Sequence, residues 1–167
     1  MPKLMNGFNV EIVNLSQNED PTYGKYENSG FDLRAWITED EGTNQYSKES
    51  KITLKPLERR LIHTGIYMAL PPGYECQIRP RSGMALKRGL SVLNTPGTID
   101  SDYRGEVGII AVNLSNEDIV IENGERIAQA VIMRVCNQTN GVTIKIVDKL
   151  NENTERGASG FGDSGDK

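Results

Sequence analysis

Apolar and polar side chains alternate in short bursts along this chain. In residues 8–15, Phe8, Val10, Ile12, Val13 and Leu15 stand at alternate or adjacent positions rich in β-branched residues, the pattern of a half-buried strand. The same signature predicts strands over 31–36, 51–55, 60–70, 74–79, 107–114, 119–121, 127–135 and 142–147. Turn-forming groups such as Pro71-Pro72-Gly73, Ser115-Asn116 and Asn123-Gly124 separate them, because these residues accept turn geometry that a strand refuses. One stretch reads as a helix. Over 82–88, Ser82 is placed to cap a short turn carrying Met84, Ala85 and Leu86, and Gly89 to end it. Many short strands with one short helix predict an all-β sandwich or barrel.

Two segments fall outside the pattern. Residues 38–50 are acidic and polar, with Glu39, Asp40 and Glu41 in succession, and read as a solvated surface excursion. From Asn151 the β-branched residues stop and Asn, Glu, Gly, Ser and Asp take over, as in a mobile tail. The division is therefore one β domain over 1–150 and a glycine-rich tail over 151–167.

Composition narrows the function. A chain of 167 residues buries one core of ordinary size. A net charge of −4 and a pI near 5.1 leave no basic face for duplex nucleic acid or a membrane surface, so phosphate contacts must be local. No stretch approaches the roughly 18 apolar residues of a membrane span, and the expected location is the cytoplasm. Cys76 and Cys136 belong to no C-x-x-C pair and read as reduced, buried thiols. His63 is the only histidine, which removes paired-histidine chemistry and His-rich zinc sites. Within Leu61-Ile62-His63-Thr64 it reads as a strand residue.

Three segments could carry chemistry. Arg79-Pro80-Arg81-Ser82-Gly83 offers guanidinium groups, a hydroxyl and backbone N–H groups at a helix start, all suited to phosphate oxygens, although a capped turn with surface arginines would look the same. In 97–105, Asp100 lies between Ile99 and Tyr103, where a carboxylate can accept a proton from water; a turn aspartate is the bland alternative. The tail combines Arg156, Phe161 and several glycines, offering a charge, a stacking surface and close backbone approach, against the alternative of a terminus with one stray aromatic. No G-x-x-x-x-G-K-[ST] occurs, which excludes a P-loop.

Taken together and in order, five segments resemble the motifs of the trimeric dUTP diphosphatase (dUTPase) family. They are 29–35 (Ser29-Gly30-Phe31-Asp32-Leu33-Arg34-Ala35), 79–85, 94–107, 124–129 and 156–165. The resemblance implies a β jelly roll assembled as a homotrimer, with active sites shared between subunits and the tail reaching across to a neighbour. It implies hydrolysis of dUTP to dUMP and pyrophosphate, with Asp100 as the general base for water attacking the α-phosphorus. Mg2+ would be held by the triphosphate and waters, and reached by Asp32 through a water. Arg81, Ser82, Gly83 and Gln129 match phosphate-holding positions. A β-hairpin over 91–99 would read the base through Asn94, Gly97, Thr98 and Ile99, too tightly for a bulky C5 substituent. Tyr103 matches the residue packed on the deoxyribose, excluding a 2'-hydroxyl. From the tail, Arg156 would reach the terminal phosphate, Phe161 would stack on uracil, and Gly162 and Ser164 would complete the contacts. Ser159 and Asp163 depart from the family pattern, and Asp163 would repel a γ-phosphate unless screened or turned outward.

Two other readings make different demands. A dCTP deaminase would have another third motif, without the Tyr103 position, and no aromatic tail. A nucleotide-sensing jelly-roll module would need none of the catalytic positions, all of which are filled here.

Overall fold

The computed structural model describes residues 7–38, 50–151, 153–155 and 157–158. The expected all-β fold is present: eleven strands and one short α-helix among the described residues, in a jelly-roll type arrangement of four sheets. A four-stranded sheet has the order β2 (Phe31–Arg34), β11 (Arg126–Arg134), β6 (Tyr74–Pro80), β8 (Gly97–Ile99). A three-stranded sheet has the order β4 (Arg59–Ile62), β9 (Ile109–Asn113), β7 (Leu90–Val92). Two pairs complete the frame, β1 (Glu11–Asn14) with β5 (Ile66–Ala69) and β3 (Lys51–Leu54) with β10 (Ile119–Glu122). All these pairings are antiparallel.

Alternation decides which side chains go inward. In β2, Phe31 and Leu33 are buried while Asp32 and Arg34 face out; in β6, Cys76 and Ile78 are buried while Gln77 and Arg79 do not. Ala128 and Ala130 of β11 join these residues, Ile62, Leu90, Ile109 and Ala111 in one contiguous core. Register then aligns the outward residues: Asp32 is opposite Gln129, and Gln129 opposite Arg79. A polar row thus crosses three strands of a sheet whose other face is core.

The helix occupies Ser82–Arg88, as expected, and ends at Gly89, whose φ of 72° is the left-handed conformation that glycine tolerates best. Ser82 is not its cap. Arg81 takes the extended N-cap position and no side chain satisfies the first turn, which leaves the Ser82 hydroxyl exposed.

Other expectations are corrected. The run 60–70 is two strands, because the chain turns at His63-Thr64-Gly65; a Cβ on Gly65 (φ 67°) would lie 2.7 Å from the Ser16 nitrogen. His63 is consequently at a corner and not within a strand. The segment 142–147 has strand-like alternation but forms no strand, and Ile144 and Ile146 are 87% and 89% exposed. Turn 93–96, with a cis Thr95–Pro96 bond, joins β7 to β8. These strands pair with β9 and β6 respectively, so 91–99 is a corner between two sheets and not a self-paired hairpin. Cys76 is buried, and that burial pushes its thiol up to about 12, which makes it inert; Cys136 is exposed, contrary to expectation. Most of the 38–50 excursion lies outside the described residues.

Candidate active site

Two clefts gather the residues singled out from sequence. The first, about 820 Å³, is lined by Asp32, Arg81, Ser82, Gly83 and Gln129. Strands β2 and β11 supply Asp32 and Gln129 from the polar row, and the β6-to-helix junction supplies the rest. The Gln129 amide is anchored by Nε2 donating to the Pro80 carbonyl at 2.9 Å, and its Oε1 has no partner among the described residues. The first N–H groups of a helix have no partner within it, so the turn beginning at Ser82 presents donors beside its hydroxyl.

Electrostatics distinguish this cleft from the molecule as a whole. Arg34, Arg81, Lys87, Arg88 and Arg126 line it against Glu19, Asp20 and Asp32, five cations to three anions on a chain whose net charge is −4. Asp32 binds two of the cations at once: Arg81 Nε donates to Oδ1 at 2.7 Å and Arg126 Nη1 to Oδ2 at 3.1 Å. Arg81 Nη1 also donates to the Arg126 carbonyl at 3.0 Å. This arrangement holds two guanidinium groups side by side, the donor geometry that suits a polyphosphate. Arg88 is paired with Glu125, and Arg34 with Glu19 at 2.6 Å, whereas Lys87 has no ion pair among the described residues.

The second cleft, about 470 Å³, is lined by Thr98, Ile99, Asp100 and Tyr103, with Leu61, His63, Glu106, Gly108 and Ile110. Asp100 follows β8 in a turn closed by Tyr103 N–H donating to the Asp100 carbonyl at 3.2 Å. Its carboxylate is exposed and takes no hydrogen bond among the described residues, so both oxygens can accept from water. Tyr103 Oη donates to the Glu106 carbonyl at 3.0 Å, which folds the ring back over Gly105.

Gly97 is buried, and a Cβ there would lie 3.3 Å from Asn94 Nδ2 and 3.4 Å from Ile78 Cβ. Asn94 thus covers Gly97 and lines neither cleft. Arg156, Phe161, Gly162 and Ser164 lie outside the described residues, as do Ser159 and Asp163. Sequence reasoning assigned no role to Arg126, Lys87, His63 or Glu106. Arg126 stood inside the fourth motif, but its pairing with Asp32 spans 94 positions and leaves no local signal.

The family model described as dUTPase matches residues 16–165. The chain belongs to the dUTPase family. The deoxyuridine 5'-triphosphate nucleotidohydrolase of Finegoldia magna is 47% identical over 93% of this chain and 98% of that protein. The corresponding protein of Treponema denticola is 50% identical over 87% of this chain and 90% of its own length. Among solved structures, a point mutant of the Staphylococcus bacteriophage 80alpha dUTPase with dUpNHpp superimposes with a TM-score of 0.75 at 26% identity, covering 94% of this chain and 98% of that one. No helix among the described residues of this dUTPase-family chain is long and apolar enough to cross a membrane.

Proposed function

We propose that this protein hydrolyses dUTP to dUMP and pyrophosphate, in active sites that each combine the two clefts from different copies of the chain. The observation that carries the reading is the division of labour between the clefts: one concentrates cations and backbone donors, the other holds a carboxylate without a partner among the described residues, beside an aromatic ring. A triphosphate fits the first and a deoxynucleoside the second.

The distance between the clefts supports sharing. Asp32 and the position of Asp100 are three strands apart and four residues out of register, which at ordinary strand spacings is about 20 Å. A carboxylate reaching a triphosphate-bound cation through one water and another reaching the α-phosphorus through one water need to be within about 10 Å. A second copy resolves the conflict. Leu61 and Ile110 line the second cleft and are 53% and 37% exposed, with Leu93 exposed beside them, an apolar patch suited to subunit contact. The unpaired alternating run 142–147 suits addition to a sheet edge of a neighbour. A closed homotrimer with the tail crossing between subunits accounts for these features together.

In the reaction, Asp100 accepts the proton of a water whose oxygen bonds to the α-phosphorus, while the bond to the β-phosphate bridging oxygen breaks and pyrophosphate leaves. Arg81, Arg126 and Lys87 balance the charge, and Gln129 and the Ser82 turn orient the phosphates. The donor set also fits Mg2+ carried by the substrate: the Asp32 carboxylate lies in the phosphate cleft, where a cation that keeps its waters could be met, and among the described residues no three His, Cys, Asp or Glu are placed to hold a metal ion by themselves. When bound, Mg2+ supplies neutralisation of phosphate oxygen charge. Thr98, Ile99 and Tyr103 enclose the sugar and base, with Asn94 and Gly97 shaping the corner behind them.

The test is pyrophosphate release from dUTP, dCTP, dTTP and UTP with Mg2+. Clear preference for dUTP is expected; ammonia release from dCTP without attack on dUTP would replace this reading with a deaminase. Deleting residues 151–167 should leave the melting temperature and assembly size unchanged, because none of the described residues of that segment enters the core. It should lower kcat/KM by about 100-fold through loss of the Arg156 and Phe161 contacts. Calorimetry, gel filtration and steady-state assays check both halves; loss of the trimer would show that the tail is structural.

A further inference from the structure

The wall of the second cleft contains a side-chain pair that the proposed hydrolysis leaves without a role. Glu106 is its centre. Its Oε1 accepts from the Thr64 and Gly65 amides at 2.9 and 2.8 Å, and its Oε2 lies 2.8 Å from His63 Nδ1. The backbone around it is tied to the same corner, with Thr64 Oγ1 donating to the Val107 carbonyl at 2.6 Å and Val107 N–H to the Ile66 carbonyl at 2.8 Å. The Glu106 carbonyl receives the Tyr103 hydroxyl. Little else holds that ring: Tyr103 is 44% exposed, and a Cβ on Gly105 would lie 2.3 Å from its Oη, so the ring is laid directly on glycine backbone.

A mechanical chain follows from these contacts. The corner between β4 and β5 holds the Glu106 carboxylate, and the Glu106 main chain, bridged to Tyr67, positions Tyr103 through its carbonyl. Two of the three bonds to the Glu106 carboxylate come from backbone and persist whatever the side chains nearby. The third comes from His63, 57% exposed against 19% for Glu106, and among the described residues it alone restrains Oε2. A carboxylate fixed at both oxygens cannot swing; one held at a single oxygen can.

We propose that His63 is a specificity-determining positioning residue: by holding Oε2 of Glu106 it fixes the Tyr103 ring against the sugar, at the depth that refuses a 2'-hydroxyl. This rests on the dUTP-hydrolysing reading and assigns to it the residue that sets discrimination between deoxyribose and ribose. Steric exclusion of one hydroxyl depends on displacements well under the size of that group, so a modest loosening of the ring relaxes the choice without disabling Asp100.

The experiment compares kcat/KM for dUTP and UTP in the wild type, His63→Ala and His63→Asn. Asparagine places an amide nitrogen about where Nδ1 stands and can donate to the same oxygen. The dUTP-to-UTP ratio should fall about tenfold in His63→Ala and return to within about threefold of wild type in His63→Asn. Damage to the fold alone would lower both substrates together and leave the ratio intact. An unchanged ratio in His63→Ala, or an equal fall in both variants, overturns the inference while the wild-type preference for dUTP still stands. A wild type indifferent to dUTP overturns the activity reading, and this inference with it.

Discussion

Replacing Asp100 by asparagine is expected to lower kcat on dUTP by about 10²–10⁴-fold, the usual contribution of a positioned general base. The Kd for a non-hydrolysable α,β-imido analogue should change by less than about threefold. The reason is local. The Asp100 side chain has no hydrogen-bonded partner among the described residues, and the turn it begins is closed by its own carbonyl and the Tyr103 amide. Asparagine preserves that turn, the volume and one acceptor oxygen, so neither the fold nor the shape of the cleft is disturbed. What it loses is the capacity to take a proton. Single-turnover kinetics separates this from binding; retention of near wild-type turnover would place the base elsewhere, and a collapse of analogue affinity would make Asp100 a binding residue.

Mixing two inactive variants is expected to regenerate activity. Arg81→Ala removes a guanidinium that touches both Asp32 and the Arg126 carbonyl, and should depress kcat/KM by about 10²–10³-fold through loss of charge-assisted phosphate contacts. Asp100→Asn is inactive for the separate reason given above. If each site takes its cationic cleft from one subunit and Asp100 from another, randomly mixed trimers contain sites that draw both intact residues from different chains. Unfolding the two variants together and refolding them should then restore about a quarter of wild-type activity, the probability that both contributions to a site are intact. Sites built within one chain would regain nothing, because every chain carries one lesion. The roughly 20 Å between the clefts, estimated from strand spacing, makes recovery the expected result.

Much of this molecule is legible in its sequence. The alternations around Phe31-Asp32-Leu33-Arg34 and Cys76-Gln77-Ile78-Arg79 identify both the strands and their inward faces, because a strand has a period of two and only one face can meet the core. The helix over Ser82–Arg88 was also readable, since Gly89 marks its end. Less visible was its beginning, where the extended Arg81 displaced the more familiar serine cap. The run 142–147 misled for a physical reason: alternation reports that a segment suits a sheet, while pairing needs a partner strand, and none stands beside it among the described residues. Likewise 91–99 has the look of a hairpin, but its two strands find partners in different sheets.

By itself the sequence determined the all-β class, the inward faces of the main strands, the single short helix and, through five motifs in order, the family. These depend on local periodicity and on residue types at short spacing. Only the tertiary structure decided that Asp32 sits between Arg81 and Arg126, that His63 holds the glutamate supporting Tyr103, and that the cationic cleft and the Asp100 cleft are separate surfaces of one chain. Such relations join residues distant in sequence through sheet register and corner geometry, and a pattern with a period of two contains neither.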